Sequence, residues 1–126
     1  MDDSSSDSTN LERKVATKLW PHHAEMCSEY DWIVISRAVE QDKPLSKNIV
    51  EPIGESKDAV LASLMILYWT MKLAHLAIQI SKEVSGLHGA EKAKAVVAAV
   101  AKRMDSNTPK VVSDQLHEVV ENLGLQ

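Results

Sequence analysis

At 126 residues the chain suits one domain, large enough to bury a core without disulfides or metal. Apolar residues make up 44% and charged residues 25%, and the net charge of −4 argues against nucleic-acid and anionic-membrane partners. Cys27 is the only cysteine, which excludes an intramolecular disulfide and fits a reducing, cytoplasmic setting.

Residues 1–8 are acidic and serine-rich and read as a disordered tail ahead of a single helical domain over 9–126. They carry Asp2, Asp3 and Asp7, so the rest of the chain is close to neutral. A secretory signal begins the opposite way, with basic residues before an apolar run. Thr9 followed three residues later by Glu12 is a capping-box signature, and it predicts a short helix from Asn10 to about Leu19. Leu11, Val15 and Leu19 form its apolar stripe. Trp20-Pro21 then redirects the chain.

Residues 22–41 carry His23, Cys27, Tyr30, Val34, Ala38 and Gln41 at helical spacing. Trp32-Ile33-Val34-Ile35 also reads as a buried strand. With no second strand to pair it, the backbone hydrogen bonds favour helix. Residues 42–55 hold Pro44, Pro52 and Gly54. Their apolar residues Leu45, Ile49, Val50 and Ile53 suggest a loop packed over the bundle.

A long helix is expected over 57–85, capped by Ser56, with Asp58 in its first turn and Gly86 and Gly89 beyond its end. Two apolar seams run along it on nearly opposite sides. Val60, Leu64, Leu67, Met71, Ala74 and Ile78 form one; Ala62, Ile66, Trp69, Leu73, Leu76 and Ile80 form the other. Between them Ser63, Thr70 and Ala77 recur every seven residues, a line of small side chains on which another backbone can approach closely. The remaining side is polar only toward the C-terminus, with Lys72, His75, Gln79, Lys82 and Glu83. A surface helix needs one apolar stripe, so this one requires neighbours on two sides.

The same helix is roughly 43 Å long at 1.5 Å per residue, against roughly 36 Å for the diameter of a compact chain of this size. The excess lies at the apolar N-terminal end, and a second copy is expected to cover it. Leu61, Leu64, Met65 and Tyr68 are the expected interface, with intramolecular core as their alternative fate. A membrane span is disfavoured: the uncharged apolar run from Ala59 ends at Met71, and Lys72 would sit near mid-bilayer.

Residues 90–104 predict an amphipathic helix with Ala93, Val96, Val97, Val100 and Met104 on one face. Thr108, Pro109 and Gly124 bound a last helix striped by Val112, Leu116, Val119, Val120 and Leu123. The two form a helical hairpin over 90–123. As a DNA-binding helix-turn-helix it fails, because Asp114, Glu118 and Glu121 outweigh Lys110 on the reading helix.

The densest cluster of ligand-type residues is His22, His23, Glu25 and Cys27. On a continuous helix it would offer part of a metal site, or a cysteine nucleophile beside a histidine base. No second paired motif completes it, and His117 with Glu121 reads as a solvated surface pair. No phosphate-binding glycine loop or zinc-protease motif occurs. The sequence therefore predicts an all-α bundle of four main helices plus a short N-terminal one. The expected function is a non-enzymatic protein–protein interaction module, self-associating through its central helix and needing no cofactor. The alternatives are a helical metal protein or enzyme built on the His22 cluster, and a membrane-active or nucleic-acid-associated helical protein.

Overall fold

The computed structural model describes residues 9–45, 57–84 and 86–125. Among them are seven helices and no strand, so the fold is all-α. The helices are α1 (Asn10–Leu19), α2 (Pro21–Glu25), α3 (Glu29–Gln41), α4 (Lys57–Glu83), α5 (Gly89–Arg103), α6 (Lys110–Ser113) and α7 (Leu116–Leu123). The acidic tail, Ile49, Val50, Ile53 and the Ser56 cap lie outside the described residues.

α4 is the hub. Its 27 residues give a rod of about 40 Å, against which α1, α2, α3, α5, α6 and α7 all pack. The two ends take different partners. Val60, Leu64, Leu67, Tyr68 and Met71 join Trp32, Ile35, Ala38 and Val39 of α3 in one core. Leu73, Ala74, Ala77 and Ile80 join Val96 and Val100 of α5, Val112 of α6, and Leu116, Val119, Val120 and Leu123 of α7 in the other. Each buried aliphatic side chain contributes about 1.5–3 kcal/mol, so α4 is held along its length by two sets of neighbours.

α1 and α2 dock on the line of small residues. Ser63, Thr70 and Ala77 are all buried. The indole Nε1 of Trp20, at the α1–α2 junction, donates to Thr70 Oγ1 at 2.8 Å, and Thr70 donates back to the Ile66 carbonyl at 2.8 Å. Ser63 Oγ lies 3.2 Å from the sulfur of Met26, just past α2. A large side chain at any of these positions would hold α1 and α2 away from the hub. The end of α3 is tied down by Tyr68, whose hydroxyl donates to the Lys43 carbonyl at 2.6 Å. Lys72 adds an ion pair to Asp42 at 3.3 Å. Asp42 is left-handed at φ 54°, a conformation its short polar side chain tolerates.

Five expectations need correction. The stripe of α1 is rotated by about one residue: Leu11 is exposed, while Glu12, Val15 and Ala16 are buried. Thr9 makes no side-chain cap, and Glu12 turns inward instead of back toward it. The single helix expected over 22–41 is broken at Met26–Ser28 because a true capping box starts a new helix there. Ser28 accepts from the Asp31 backbone N–H at 3.1 Å, and Asp31 accepts from the Ser28 N–H at 3.1 Å. The last helix is interrupted at Asp114–Gln115, with Pro109 as the N-cap residue of α6. Thr108 donates to the Asp105 carbonyl at 2.7 Å rather than capping. Helix at 32–36 and the left-handed Gly124 ending α7 agree with the sequence reading.

Replacing Ala77 by leucine tests the close approach on α4. Overpacking a fully buried position costs roughly 1–3 kcal/mol. Urea unfolding should show that loss for Ala77→Leu, whereas Ala98→Leu on the exposed face of α5 should stay within about 0.5 kcal/mol of wild type.

Candidate functional site

The four residues the sequence nominated for an interface divide in two. Leu64 and Tyr68 are buried in the α3–α4 core, each 2% exposed. Leu61 is half-buried against that core, and Met65 is half-buried as well. Ala59 and Ala62 are exposed, and Ile66 is half-buried. The N-terminal half of α4 thus keeps a partly open, uncharged apolar face built from Leu61, Ala62, Met65 and Ile66. By length and composition alone, Ala59–Glu83 is also long and apolar enough to cross a membrane, and half of its most apolar window is buried inside the chain.

The cluster His22, His23, Glu25 and Cys27 does not assemble as expected. The helix ends at Glu25, so Cys27 loses its i, i+4 relation to His23. His22 and Glu25 are both exposed, while the half-buried His23 meets the Trp20 ring edge-on with centroids 5.5 Å apart. Among the described residues no group of three or more His, Cys, Asp or Glu side chains could hold a metal ion. Burial, reinforced by the Asp31 charge and partly offset by Arg13, pushes the Cys27 thiol up to about 12. The thiolate needed by a nucleophile is thereby suppressed at neutral pH.

A different pair of polar side chains meets where α1 packs on α4. Glu12 is 1% exposed, and its Oε2 lies 2.8 Å from Nδ1 of His75 on α4. Facing a carboxylate oxygen, Nδ1 is assigned as the donor from this contact. Oε1 of Glu12 has no hydrogen-bond partner among the described residues. Gln79, one turn on, places its amide nitrogen 3.4 Å from His75 Nε2. With Nδ1 bound to the buried carboxylate, the Nε2 edge is the one left toward solvent.

That edge borders a groove of about 380 Å³ between the C-terminal half of α4, the end of α3 and the α5–α6 connection. Val39, Trp69, Leu73, Leu76 and Met104 form its apolar walls, and Lys72, His75, Gln79 and Arg103 are among its polar lining. The Lys72 ammonium lies 5.0 Å above the Trp69 ring and 5.5 Å from that of Tyr68, and Arg103 pairs with Glu83 at 3.1 Å. His75 was legible from sequence as a member of the polar strip of α4. Glu12 was not, because its spacing from Thr9 assigned it to a cap. The clue it left was its place one residue after Leu11, on the side of α1 that also carries Val15 and Ala16.

No family model matches the chain, and neither curated proteins nor solved structures give a match.

Two measurements check these assignments. Cys27 in the native chain should react with iodoacetamide at pH 8 at least about 100-fold more slowly than in the urea-unfolded chain, because its thiol remains protonated. The sign follows from the raised value. The stabilisation from keeping this thiol neutral is complete below the unfolded value near 9 and is lost as pH rises toward 12. For the Glu12–His75 pair, His75→Ala leaves a buried carboxylate without its partner and should cost roughly 2–3 kcal/mol in urea unfolding. The double variant Glu12→Leu/His75→Leu should recover most of that loss, since two apolar side chains replace the pair at little cost.

Proposed function

We propose that the chain is a protein–protein interaction module that self-associates through the N-terminal half of α4. The observation that supports this reading is the partly open face of Leu61, Ala62, Met65 and Ile66, apolar throughout, whereas the exposed positions in the C-terminal half of the helix, Gln79, Lys82 and Glu83, are polar. No charged residue lies between Ala59 and Met71. The face therefore offers no electrostatic pattern to select a different partner. A second copy presents the same uncharged surface, and a two-fold contact pairs like with like. Leu64 and Tyr68, spent on the intramolecular core, support the face from beneath.

Sedimentation velocity tests this. The wild-type chain should show a concentration-dependent shift from monomer to dimer in the micromolar range, and Met65→Glu, on the open face, should hold it monomeric with its helical circular dichroism intact. A wild-type chain that stays monomeric at several hundred micromolar contradicts the proposal.

A further inference from the structure

The groove lies toward the other end of α4 from the proposed self-association face, and its chemistry is independent of that face. Its distinguishing feature is a histidine backed by a buried carboxylate. Glu12 holds Nδ1 of His75 at 2.8 Å from a position only 1% exposed, which fixes the ring and its tautomer. Nε2 is then an acceptor at the groove wall, contacted by the Gln79 amide at a long 3.4 Å. A water or substrate hydroxyl can displace so weak a contact. A carboxylate-oriented imidazole with its second nitrogen on a cleft, held only by a long contact, is the arrangement of a general base.

We propose that this groove is a hydrolytic site for neutral esters with a short apolar acyl group, with His75 as the general base and Glu12 as its positioning residue. The volume of about 380 Å³ is in the range of small-molecule sites, and Trp69, Leu76 and Met104 supply apolar wall for the acyl group. In the reaction, Nε2 takes a proton from a water molecule as the water oxygen bonds to the ester carbonyl carbon. The imidazolium so formed is stabilised by the Glu12 carboxylate, whose second oxygen has no other described partner. Lys72 lines the same groove one turn before His75, but its ammonium is paired with Asp42 at 3.3 Å and Glu40 and Asp105 line the groove as well, so the step rests on His75 and the water it activates. Collapse breaks the carbon–oxygen bond to the alcohol, and the proton on Nε2 passes to the leaving oxygen. The products are a carboxylic acid and an alcohol, and His75 returns to its neutral form. Thr108 also lines the groove, but its hydroxyl donates to the Asp105 carbonyl at 2.7 Å, so water serves as the nucleophile.

The test is hydrolysis of p-nitrophenyl acetate and p-nitrophenyl butyrate by the full chain, with circular dichroism to confirm folding of each variant. The wild type should exceed the same concentration of free imidazole by about 100-fold. His75→Gln should fall to the background set by His22, His23, His88 and His117, which it retains. Glu12→Gln can still accept from Nδ1 but lacks the charge. It should lower kcat by about 10-fold or more with KM unchanged, a split that loss of folded protein does not produce once rates are referred to the folded fraction. A wild-type rate no greater than that of folded His75→Gln overturns the proposal. A Glu12→Gln variant with unaltered kcat removes Glu12 from it.

Discussion

The structure depends on one constraint: α4 is too apolar to be left uncovered on more than a small part of its surface. Its backbone hydrogen bonds are internal, so side-chain burial fixes where its neighbours sit. The N-terminal half recruits α3 through Trp32, Ile35 and Val39, and the C-terminal half recruits α5 and α7 through Val96, Val100, Val119 and Val120. The two cores meet at α1. Val15 of that helix enters one and Ala16, its next residue, the other. Ser63, Thr70 and Ala77 make this possible by bringing the α1–α2 segment close to the hub.

Polar groups drawn into this enclosure are few, and most have a defined partner. Trp20, Thr70 and Tyr68 each satisfy an N–H or O–H that would otherwise be stranded, and one carboxylate oxygen of the buried Asp31 completes a cap while its Oδ1, like Oε1 of Glu12, has no hydrogen-bond partner among the described residues. Glu12 is different. At its place on the buried face of α1 an apolar residue would satisfy the packing, and a carboxylate there costs desolvation that one imidazole only partly offsets. The cost is local, and it buries a charge directly behind a histidine on a groove wall. A device of this kind is more readily understood as orienting His75 than as stabilising the fold.

The long helix, its first seam and its small-residue line were legible in the sequence because apolar periodicity over many turns is a strong signal. The second seam, by contrast, is buried only at Leu73 and Ile80, with Ala62 exposed and Ile66, Trp69 and Leu76 half-buried. Helix over 32–36 was legible by elimination of a strand partner. The break at Met26–Ser28 was not, because the spacing of His23, Cys27 and Tyr30 runs straight through it while the local Ser28–Asp31 cap outweighs it. Local hydrogen bonding also decided against the sequence reading at Thr108. The candidate site was the least legible part. Leu64 and Tyr68 share their side of α4 with Leu61 and Met65, and only the seating of α3 separates core from open face. The pairing of Glu12 with His75 joins residues 63 apart in sequence; alone, Glu12 reads as half of a helix cap and His75 as part of a polar strip.

If α4 is the enclosed hub that both cores need, its amides must be the last to open. Native-state hydrogen exchange, resolved residue by residue, measures this. Amides from Leu64 to Ile80 should exchange only through global unfolding, with free energies equal to that from urea denaturation, while those of α2 and α6 exchange faster. Exchange of the Leu67–Ala77 amides ahead of those in α5 or α7 would mean that the fold is anchored elsewhere.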